Sequence, residues 1–251
     1  MVDREIVDRI ATQLGQARQV LVLTGAGISV ASGIKTYRGP AGMWNDAQLL
    51  AAHHADALPG SLPIIWATKG PVRAQALAAL PNPAHLALAQ LEQQLATRDG
   101  QLTIATQNID GLHQKAGSKN VLELHGSVLR SRCSDPGCVL PPFPDQTIPP
   151  ANGPLPTCPR CNQPLRPDIV LFGERLPAPA IDLAKHLSHQ ADILLVVGTS
   201  GVVHPAAGLI EKAATWGAQC YLINKDPWEN PHPGITQTLL GPAEQILPQL
   251  I

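Results

Sequence analysis

Four of the five cysteines of this 251-residue chain lie in two pairs within one short segment. Cys133 and Cys138 are separated by four residues, Cys158 and Cys161 by two, and nineteen residues lie between the pairs. Two such pairs of thiols can close a tetrahedral zinc site, and four sulfur ligands leave no coordination position open for a substrate. The spacing therefore predicts one structural zinc ion. A disulfide framework is disfavoured, because the chain is long and its number of cysteines is odd.

A glycine-rich loop follows the apolar run at residues 19–23, and its residues are Gly25, Ala26, Gly27, Ile28 and Ser29. Glycines in such a loop let the backbone approach a phosphate at the start of a helix. The usual dinucleotide fingerprint requires a third glycine where this chain has Val30. The loop therefore predicts nucleotide binding but disfavours a dehydrogenase that transfers hydride. An ordinary turn between a strand and a helix is the alternative.

Polar or small residues also follow the later apolar runs. They are Gln107, Asn108, Ile109 and Asp110 after 102–105, His125 after 121–124, Gly198, Thr199 and Ser200 after 193–197, and Asn224 and Asp226 after 220–223. Alone, the 107–110 motif is also ordinary turn chemistry, and a single histidine is more often structural. Because the carboxyl ends of parallel strands meet at one edge of a sheet, however, these groups are expected to share one ligand. An imidazole that titrates near neutrality suits a general base, which favours His125.

The elements that position these residues follow from the hydrophobic pattern. Short apolar runs, including one at 169–172, are typical of strands that are buried on both faces. Helical patterns at 3–17, 84–97, 179–190 and 205–216 separate several of them. This alternation predicts an α/β fold with a doubly wound parallel sheet, Rossmann-like, into which a smaller zinc-binding and helical domain is inserted. Cys220 is predicted to be a buried thiol of a strand.

Two segments interrupt the alternation. Residues 38–82 are rich in Ala, Pro and Gly and contain helix-like pieces without a strand run. Residues 130–167 hold 11 of the 25 prolines and the four clustered cysteines, which is typical of a small module ordered by zinc. The predicted division is therefore a large nucleotide-binding domain of residues 1–37, 83–129 and 168–251, a helical module at 38–82 that includes a cofactor-binding loop, and a zinc-binding module at 130–167.

Composition excludes several classes of protein. Hydrophobic residues make up 44% of the chain, enough for a real core, so wholesale disorder is excluded. The net charge is −1 and the isoelectric point about 6.7, so there is no global basic field for a nucleic acid or an anionic membrane. There is no apolar run of the ~18 residues that a membrane span requires, and no export signal at the start. A cytoplasmic protein without nucleic-acid or membrane partners is expected, and a monomer is compatible with the sequence.

Together, these motifs resemble the sirtuin family, the NAD-dependent protein lysine deacylases, in a compact prokaryotic form. The resemblance extends from about residue 10 to 250. The motifs occur in the sirtuin order: Gly25-Ala26-Gly27-Ile28-Ser29, Gly33-Ile34, Tyr37-Arg38, Gln107-Asn108-Ile109-Asp110, His125-Gly126, the cysteine pairs, Phe172-Gly173-Glu174, Gly198-Thr199-Ser200 and Asn224.

The resemblance implies that NAD, a consumed co-substrate, lies across the switch point of the large domain. Residues 25–29 would hold the pyrophosphate, and Gln107, Asn108 and Asp110 would surround the nicotinamide and its ribose. The implied cofactor-binding residues are Gly25, Ala26, Gly27, Ile28, Ser29, Tyr37, Arg38, Trp44, Gln107, Asn108, Ile109, Asp110, Gly198, Thr199, Ser200, Asn224, Asp226, Gly241 and Ala243.

The resemblance also implies the chemistry and the substrate. The acyl oxygen of an acyl-lysine attacks the ribose as nicotinamide leaves, and His125 then acts as general base, which gives free lysine and O-acyl-ADP-ribose. Asn108 and Asp110 complete the implied catalytic set. The substrate protein would lie as an added strand against Val170, Phe172, Gly173 and Glu174, with a further contact from Val203.

The acyl preference rests on a departure from part of the family. Sirtuins that prefer acidic acyl groups have a Tyr and an Arg three residues apart in the helical lobe, where this chain has Lys69 and Val72. Lys69 or Arg73 could offer a charge, but the lobe has no tyrosine after Tyr37. Deacetylation, or removal of another uncharged acyl group, is therefore favoured.

Two other functions remain open at the level of sequence. The same pocket could support mono-ADP-ribosyl transfer or simple NAD hydrolysis. A zinc-ribbon binding module on an inactive nucleotide fold is the alternative from another class, since Arg130, Arg132, Arg160 and Arg166 surround the cysteines. No aromatic stacking platform accompanies these arginines, which weighs against nucleic acid as their partner.

Overall fold

The computed structural model describes residues 3–37, 42–150, 153–200 and 206–251. Arg38 and Val203, two of the implied contacts, lie outside the described residues. Within these ranges the strands are β1 Gln19–Thr24, β2 Gln101–Thr106, β3 Val121–Glu123, β4 Gly126–Cys133, β5 Phe143–Pro144, β6 Leu165–Ile169, β7 Ile193–Val197, β8 Gln219–Asn224 and β9 Gln237–Leu240. The α-helices there are α1 Arg4–Gln16, α2 Ala47–Ala52, α3 Leu62–Ala78, α4 Pro83–Ala96, α5 Leu112–Lys115, α6 Ala178–Ser188, α7 Ala206–Thr215 and α8 Ala243–Ile246.

Six parallel strands form the main sheet in the order β3-β2-β1-β7-β8-β9. Counted along the chain, this is the 3-2-1-4-5-6 order of a doubly wound nucleotide-binding fold. The strand order reverses between β1 and β7, and this switch point at the carboxyl edge of the sheet is where such folds bind their ligands. The predicted fold class is confirmed.

The four central strands of the main sheet, β2, β1, β7 and β8, are buried on both faces, which explains their continuous apolar runs. Val20 and Val22 of β1 pack with helices α1 and α4, whereas Leu21 and Leu23 pack on the opposite face against α6 and α7. This alternation follows from the two-residue period of a strand. Helix α1 begins at a cap in which the Asp3 carboxylate accepts a hydrogen bond from the backbone N–H of Glu5 at 3.0 Å. The four predicted helices are confirmed to within two residues at each end.

A second, antiparallel sheet has the strand order β5-β4-β6. The apolar run at 169–172 was expected to join the parallel sheet, and this prediction is wrong. Strand β6 ends at Ile169 and pairs with β4, and Phe172 then forms an isolated parallel bridge with His54. An apolar run predicts burial, but it does not define the strand with which it pairs.

Helix α3 connects the helical segment to the second sheet. The Trp66 indole N–H donates to the backbone oxygen of Leu165 at 2.8 Å, and the Arg73 side chain, fully buried, forms an ion pair with Asp145 at 3.0 Å. The predicted limits of the zinc-binding module, 130 and 167, fall within β4 and β6. Cys220 is buried in β8 as predicted, and burial raises the pKa of its thiol to about 11. None of the helices in the described ranges is long and apolar enough to span a bilayer.

Candidate active site

The loops after β1 and β7 contact each other directly at the switch point. The backbone N–H of Gly25 donates to Val197 at 3.0 Å, and that of Gly27 donates to Gly198 at 2.8 Å. A Cβ on Gly27 would lie 2.7 Å from the backbone of Gly198, and one on Gly198, whose φ is +60°, would lie 2.4 Å from the Ile28 nitrogen. These glycines are therefore required by the contact between the two loops, a reason that the sequence does not reveal.

The other residues of the 25–29 loop differ in what they expose. The side chain of Ile28 is fully buried in the main core, so only its backbone can face a ligand. Ser29 is also fully buried, but its hydroxyl points into a polar network. Ala26 is half-buried. The apolar side chain of Ile28 therefore does not face a ligand, and the backbone N–H groups of Gly25, Gly27 and Ile28 already have partners within the chain.

Asn108 and Asp110 join this loop through a buried hydrogen-bond network. The Asn108 amide donates to the backbone oxygen of Gly25 at 3.1 Å and to the Ser29 hydroxyl at 3.2 Å. The Ser29 hydroxyl donates to Asp110 at 2.8 Å, and the second oxygen of that carboxylate accepts from the Leu112 backbone N–H at 3.0 Å. Burial raises the pKa of Asp110, whereas these hydrogen bonds lower it. The structure thus brings together two motifs, 25–29 and 107–110, that the sequence placed on separate loops.

Two histidines that the sequence analysis missed lie beneath this network. His85 Nε2 is 3.4 Å from the Ser29 hydroxyl, and its Nδ1 accepts from the Asn82 backbone N–H at 3.3 Å. His113 Nε2 lies 3.0 Å from the hydroxyl of Thr24, and the two imidazole rings meet edge to face at 4.9 Å. Burial lowers the pKa of His85 to about 4 and that of His113 to about 3, so both are neutral. Asn82 lies three residues before His85 and caps the start of α4. This pair in the sequence predicts the start of a helix, but it does not predict that His85 reaches the site.

His125 lies beside Gln107, at the end of the neighbouring strand. Its Nδ1 is 2.9 Å from the backbone oxygen of Gln107, whose side chain donates to the Thr199 hydroxyl at 3.2 Å. Because a backbone oxygen only accepts, Nδ1 carries the proton and Nε2 has a free lone pair. Burial lowers the pKa of His125. The imidazole is therefore in the form that a general base requires at neutral pH.

Tyr37 and Trp44 lie on either side of the undescribed residues 38–41. Their rings stack at 5.5 Å with an interplanar angle of 17°, and burial together with the nearby Asp110 raises the pKa of Tyr37. The edge of Trp44 lies 5.1 Å from the ring of Phe172. Ile109 belongs to an apolar cluster with Leu62, Ile65, Val128, Ile169 and Leu171, and Tyr37 packs against that cluster.

The segment that was expected to receive a peptide is partly paired within the chain. The backbone N–H of Phe172 donates to His53 at 2.9 Å, and its oxygen accepts from Ala55 at 2.8 Å. The Glu174 carboxylate accepts from Arg166 at 2.5 Å and from the Leu171 backbone at 2.9 Å.

Gly173 is exposed, and within the described ranges its backbone N–H and oxygen have no hydrogen-bond partner. The half-buried side chain of Val170 lines an open groove of about 770 Å³ beside β3. In the part of the chain that the structure describes, the backbone groups of Gly173 are therefore unpaired, unlike those of Phe172, and the φ of Gly173, +83°, is that of a turn.

The residues expected around the adenosine half follow β7, β8 and β9. Ser200 is exposed, and the Asn224 amide donates to the backbone oxygen of Asp226 at 2.8 Å. Gly241 donates its backbone N–H to Asn224 at 2.9 Å, and Ala243 begins α8. Trp228, which the sequence analysis missed, donates its indole N–H to the backbone oxygen of Thr199 at 2.7 Å. These residues line the β8 side of the switch point.

The four clustered cysteines converge as their spacing predicts. All four Sγ atoms lie within 4.8 Å of one another, with Cys133 and Cys161 at 3.5 Å and Cys138 and Cys158 at 3.8 Å. A tetrahedral ion with Zn–S bonds of about 2.3 Å requires S–S distances of about 3.8 Å. The thiols therefore fit one zinc ion, and they leave no position for a substrate.

Comparison with known proteins agrees with this site. Residues 25–205 match the model of the Sir2 family. The chain is 41% identical over 223 residues to an NAD-dependent protein deacylase of Thermus thermophilus, covering 89% of this chain and 85% of the relative. It is 39% identical over 243 residues to NAD-dependent protein deacylase 2 of Pyrobaculum aerophilum, covering 96% and 93%. The crystal structure of a Sir2 homolog–NAD complex superposes with a TM-score of 0.86 at 34% identity, over 100% of this chain and 93% of that one.

A doubly wound sheet with a buried Ser-Asn-Asp network at its switch point and a four-thiol module defines a nucleotide-binding enzyme of the sirtuin class. The family match covers most of the chain. The chain belongs to the Sir2 family.

Proposed function

We propose that the protein is an NAD-dependent protein lysine deacylase that forms O-acyl-ADP-ribose. The observation that carries the proposal is the hydrogen-bond network of Asn108, Ser29 and Asp110 at the switch point. His125 lies next to this network, since its imidazole is hydrogen-bonded to the backbone oxygen of Gln107. The proposal is further supported by relatives named NAD-dependent protein deacylases and by a related structure that contains NAD.

NAD would lie across the loops after β1 and β7, at the carboxyl edge of the sheet. The 25–29 loop and the backbone at Gly198 and Thr199 would hold the phosphates, since they offer small residues at the carboxyl edge of the sheet. Asn224, Asp226 and the turn at Gly241 would hold the adenosine half. We retain the division proposed from sequence, in which residues 1–37, 83–129 and 168–251 form the NAD-binding domain and 38–82 and 130–167 the helical and zinc-binding modules.

The residues of this chain would act as follows. NAD supplies an electrophilic ribose carbon when nicotinamide leaves. Asn108 and the Asp110 carboxylate, which are fixed by Ser29 before any ligand binds, would stabilise the positive charge that develops there. His125 would accept a proton at Nε2, because its Nδ1 proton is held by Gln107.

Uncharged acyl groups, acetyl among them, are the proposed substrates. The five donor contacts of Arg73 go to Asp145 and to groups of β4 and the segment after β5, so its charge does not reach the site. The Lys69 ammonium lies against the rings of Tyr37 and Trp44. Tyr37 also packs against the apolar cluster around Ile109.

Protein substrates are proposed to bind as an added strand along the exposed backbone of Gly173. A cytoplasmic location is also proposed, since four unpaired thiols gathered as metal ligands suit a reducing compartment.

The test mixes the purified protein with NAD and acetyl-, butyryl- or succinyl-lysine peptides, and follows the products by mass spectrometry. Peptide-dependent release of nicotinamide with matching O-acyl-ADP-ribose, largest for an uncharged acyl group, is expected. Nicotinamide release that is indifferent to peptide would instead identify a glycohydrolase or an ADP-ribosyltransferase. A higher rate with the succinyl peptide would overturn the proposed acyl preference.

A further inference from the structure

Lys69 of α3 is a lysine buried without an ion-pair partner. It is 1% exposed, and no carboxylate in the described ranges forms an ion pair with its ammonium. Its Nζ instead lies 4.6 Å from the ring centre of Tyr37, 4.7 Å from that of Trp44 and 3.8 Å from the Met43 sulfur. Burial lowers its pKa to about 7. A buried charge of this kind costs stability, so a gain elsewhere is needed to explain it.

The two rings against Lys69 belong to one unit. Tyr37 and Trp44 stack, and the backbone N–H of Trp44 donates to the oxygen of Tyr37 at 3.2 Å. The ends of the segment that contains residues 38–41 are therefore held together by a hydrogen bond, a ring stack and one shared cation. A cation over an aromatic ring is attracted to the ring face, and more strongly when both are desolvated.

This unit adjoins both halves of the proposed site. Tyr37 is close enough to Asp110 for that carboxylate to help raise the pKa of the phenol. Trp44 meets Phe172 at 5.1 Å and His53 at 5.1 Å, and His53 accepts the backbone hydrogen bond of Phe172. Tyr37 thus lies on the side of the site that is proposed for the ribose, and Trp44 on the side that is proposed for the peptide. Lys69 contacts both rings.

We propose that Lys69 is a positioning residue for NAD binding: its ammonium holds the Tyr37–Trp44 stack in the geometry that the site requires. The proposal rests on the proposed function, because it takes Tyr37 and Trp44 as residues that surround NAD. The buried cation lowers the stability of the fold, but it fixes the aromatic pair beside Asp110 and Phe172.

The titratable groups that face this unit define its pH dependence. They are Tyr37, His53 and Asp110, and of these only His53 titrates near neutrality in its ordinary state. Burial and the Lys69 charge both lower the pKa of His53. Lys69 is then the group whose charge changes as the pH rises through about 7.

The test measures NAD binding by calorimetry, which does not depend on deacylase activity, and the thermal midpoint of the free protein. Lys69→Met removes the charge at similar volume, and Lys69→Arg keeps a cation. Lys185→Met, on exposed α6, is the matched control. At pH 6, where Lys69 is charged, Lys69→Met should bind NAD roughly tenfold more weakly, a difference of about 1.4 kcal/mol, because the Tyr37–Trp44 pair is no longer held by the cation. The thermal midpoint should be equal or higher, because a buried charge is removed. Lys69→Arg should restore most of the affinity.

A second measurement uses the unchanged protein. Its affinity for NAD should fall as the pH rises from 6 to 9, because the ammonium loses its proton, whereas Lys69→Arg should show no such fall. A lower thermal midpoint in Lys69→Met with unchanged NAD affinity would mean that Lys69 is structural only, and would overturn the proposal. So would a change confined to acyl preference, which would place the amine against the acyl group. If the wild-type protein binds no NAD at all, the proposed function fails rather than the role of Lys69.

Discussion

His125 Nδ1 lies 2.9 Å from the backbone oxygen of Gln107, which determines the nitrogen that can act as a base. The hydrogen bond requires the proton on Nδ1 and leaves Nε2 bare. The Gln107 backbone is itself held, since its N–H donates to the oxygen of Thr24 at 2.9 Å. The tautomer is thus determined by the main sheet rather than by a flexible side chain.

Replacement of His125 by Ala should lower the rate of deacylation by about 10²–10⁴-fold, the usual contribution of a general base. Far-ultraviolet circular dichroism should be unchanged, because the imidazole makes one hydrogen bond to the backbone and belongs to neither core cluster of the main sheet. Deacylation is measured as free lysine peptide formed per unit time. More than half of the wild-type turnover in the variant would exclude His125 as the base.

The same residue predicts the acid limb of the pH–rate profile. Burial lowers the pKa of His125, so the active neutral form persists below pH 6.5. The midpoint of the acid fall in kcat/KM should therefore lie lower than that of a free imidazole. A midpoint at or above pH 7 would contradict the observed environment.

Gly27→Ala should disrupt the contact between the loops after β1 and β7. The new Cβ would lie 2.7 Å from the backbone of Gly198, and neither loop can yield without moving a strand end. A loss of about 1–3 kcal/mol in the free energy of unfolding and at least tenfold weaker NAD binding are expected, as for other overpacked sites. Urea denaturation and calorimetry measure the two effects. Gly15→Ala in α1 is the control, because no atom lies within 4 Å of its new Cβ, and it should be neutral or stabilising.

The fold was predictable because its signals are periodic and local. The alternation of Val20 and Val22 with Leu21 and Leu23 between two cores is a property of the strand itself. The thiol cluster was predictable because metal ligation restricts the spacing of its ligands. The segment at 169–172 was misassigned because its neighbours, β4 and residues 53–55, are distant in sequence.

The same reason explains the residues that were missed. His85, Trp228 and the unpaired state of Lys69 acquire meaning only from tertiary neighbours. Lys69 was noted for its position in the lobe, but nothing in the sequence brings it to Tyr37 and Trp44. The glycines of the 25–29 loop were singled out for phosphate binding, and their contact with Gly198 is a second requirement that the sequence does not reveal.

Acid should destabilise the protein through His85 and His113. Their pKa values in the fold, about 4 and 3, are lower than the value of about 6.5 in an unfolded chain. The unfolded state therefore binds more protons between pH 4 and 6.5, and the free energy of unfolding should fall as the pH falls through this range.

Urea denaturation at several pH values should show a shallower slope of the free energy of unfolding against pH for His113→Leu. His186→Leu, on the exposed side of α6, should retain the wild-type slope. An identical slope in all three proteins would refute the assignment.

Removal of zinc should unfold the second sheet before it affects any group of the switch point. Among the residues that the structure describes, the cysteine cluster is backed by Leu165, Leu140 and Phe143, too few apolar side chains to order a segment that contains 11 prolines. A chelator, or Cys158→Ser, should lower the thermal midpoint and release one zinc ion per chain. Added zinc should restore the midpoint in the chelated wild type but not in the variant. When zinc is removed at low temperature, NAD binding should be lost later than the folded structure of the zinc-binding module. The reason is that no cysteine contacts the network around Asp110. A metal-free protein that melts like the wild type would show that the four thiols do not hold a structural ion.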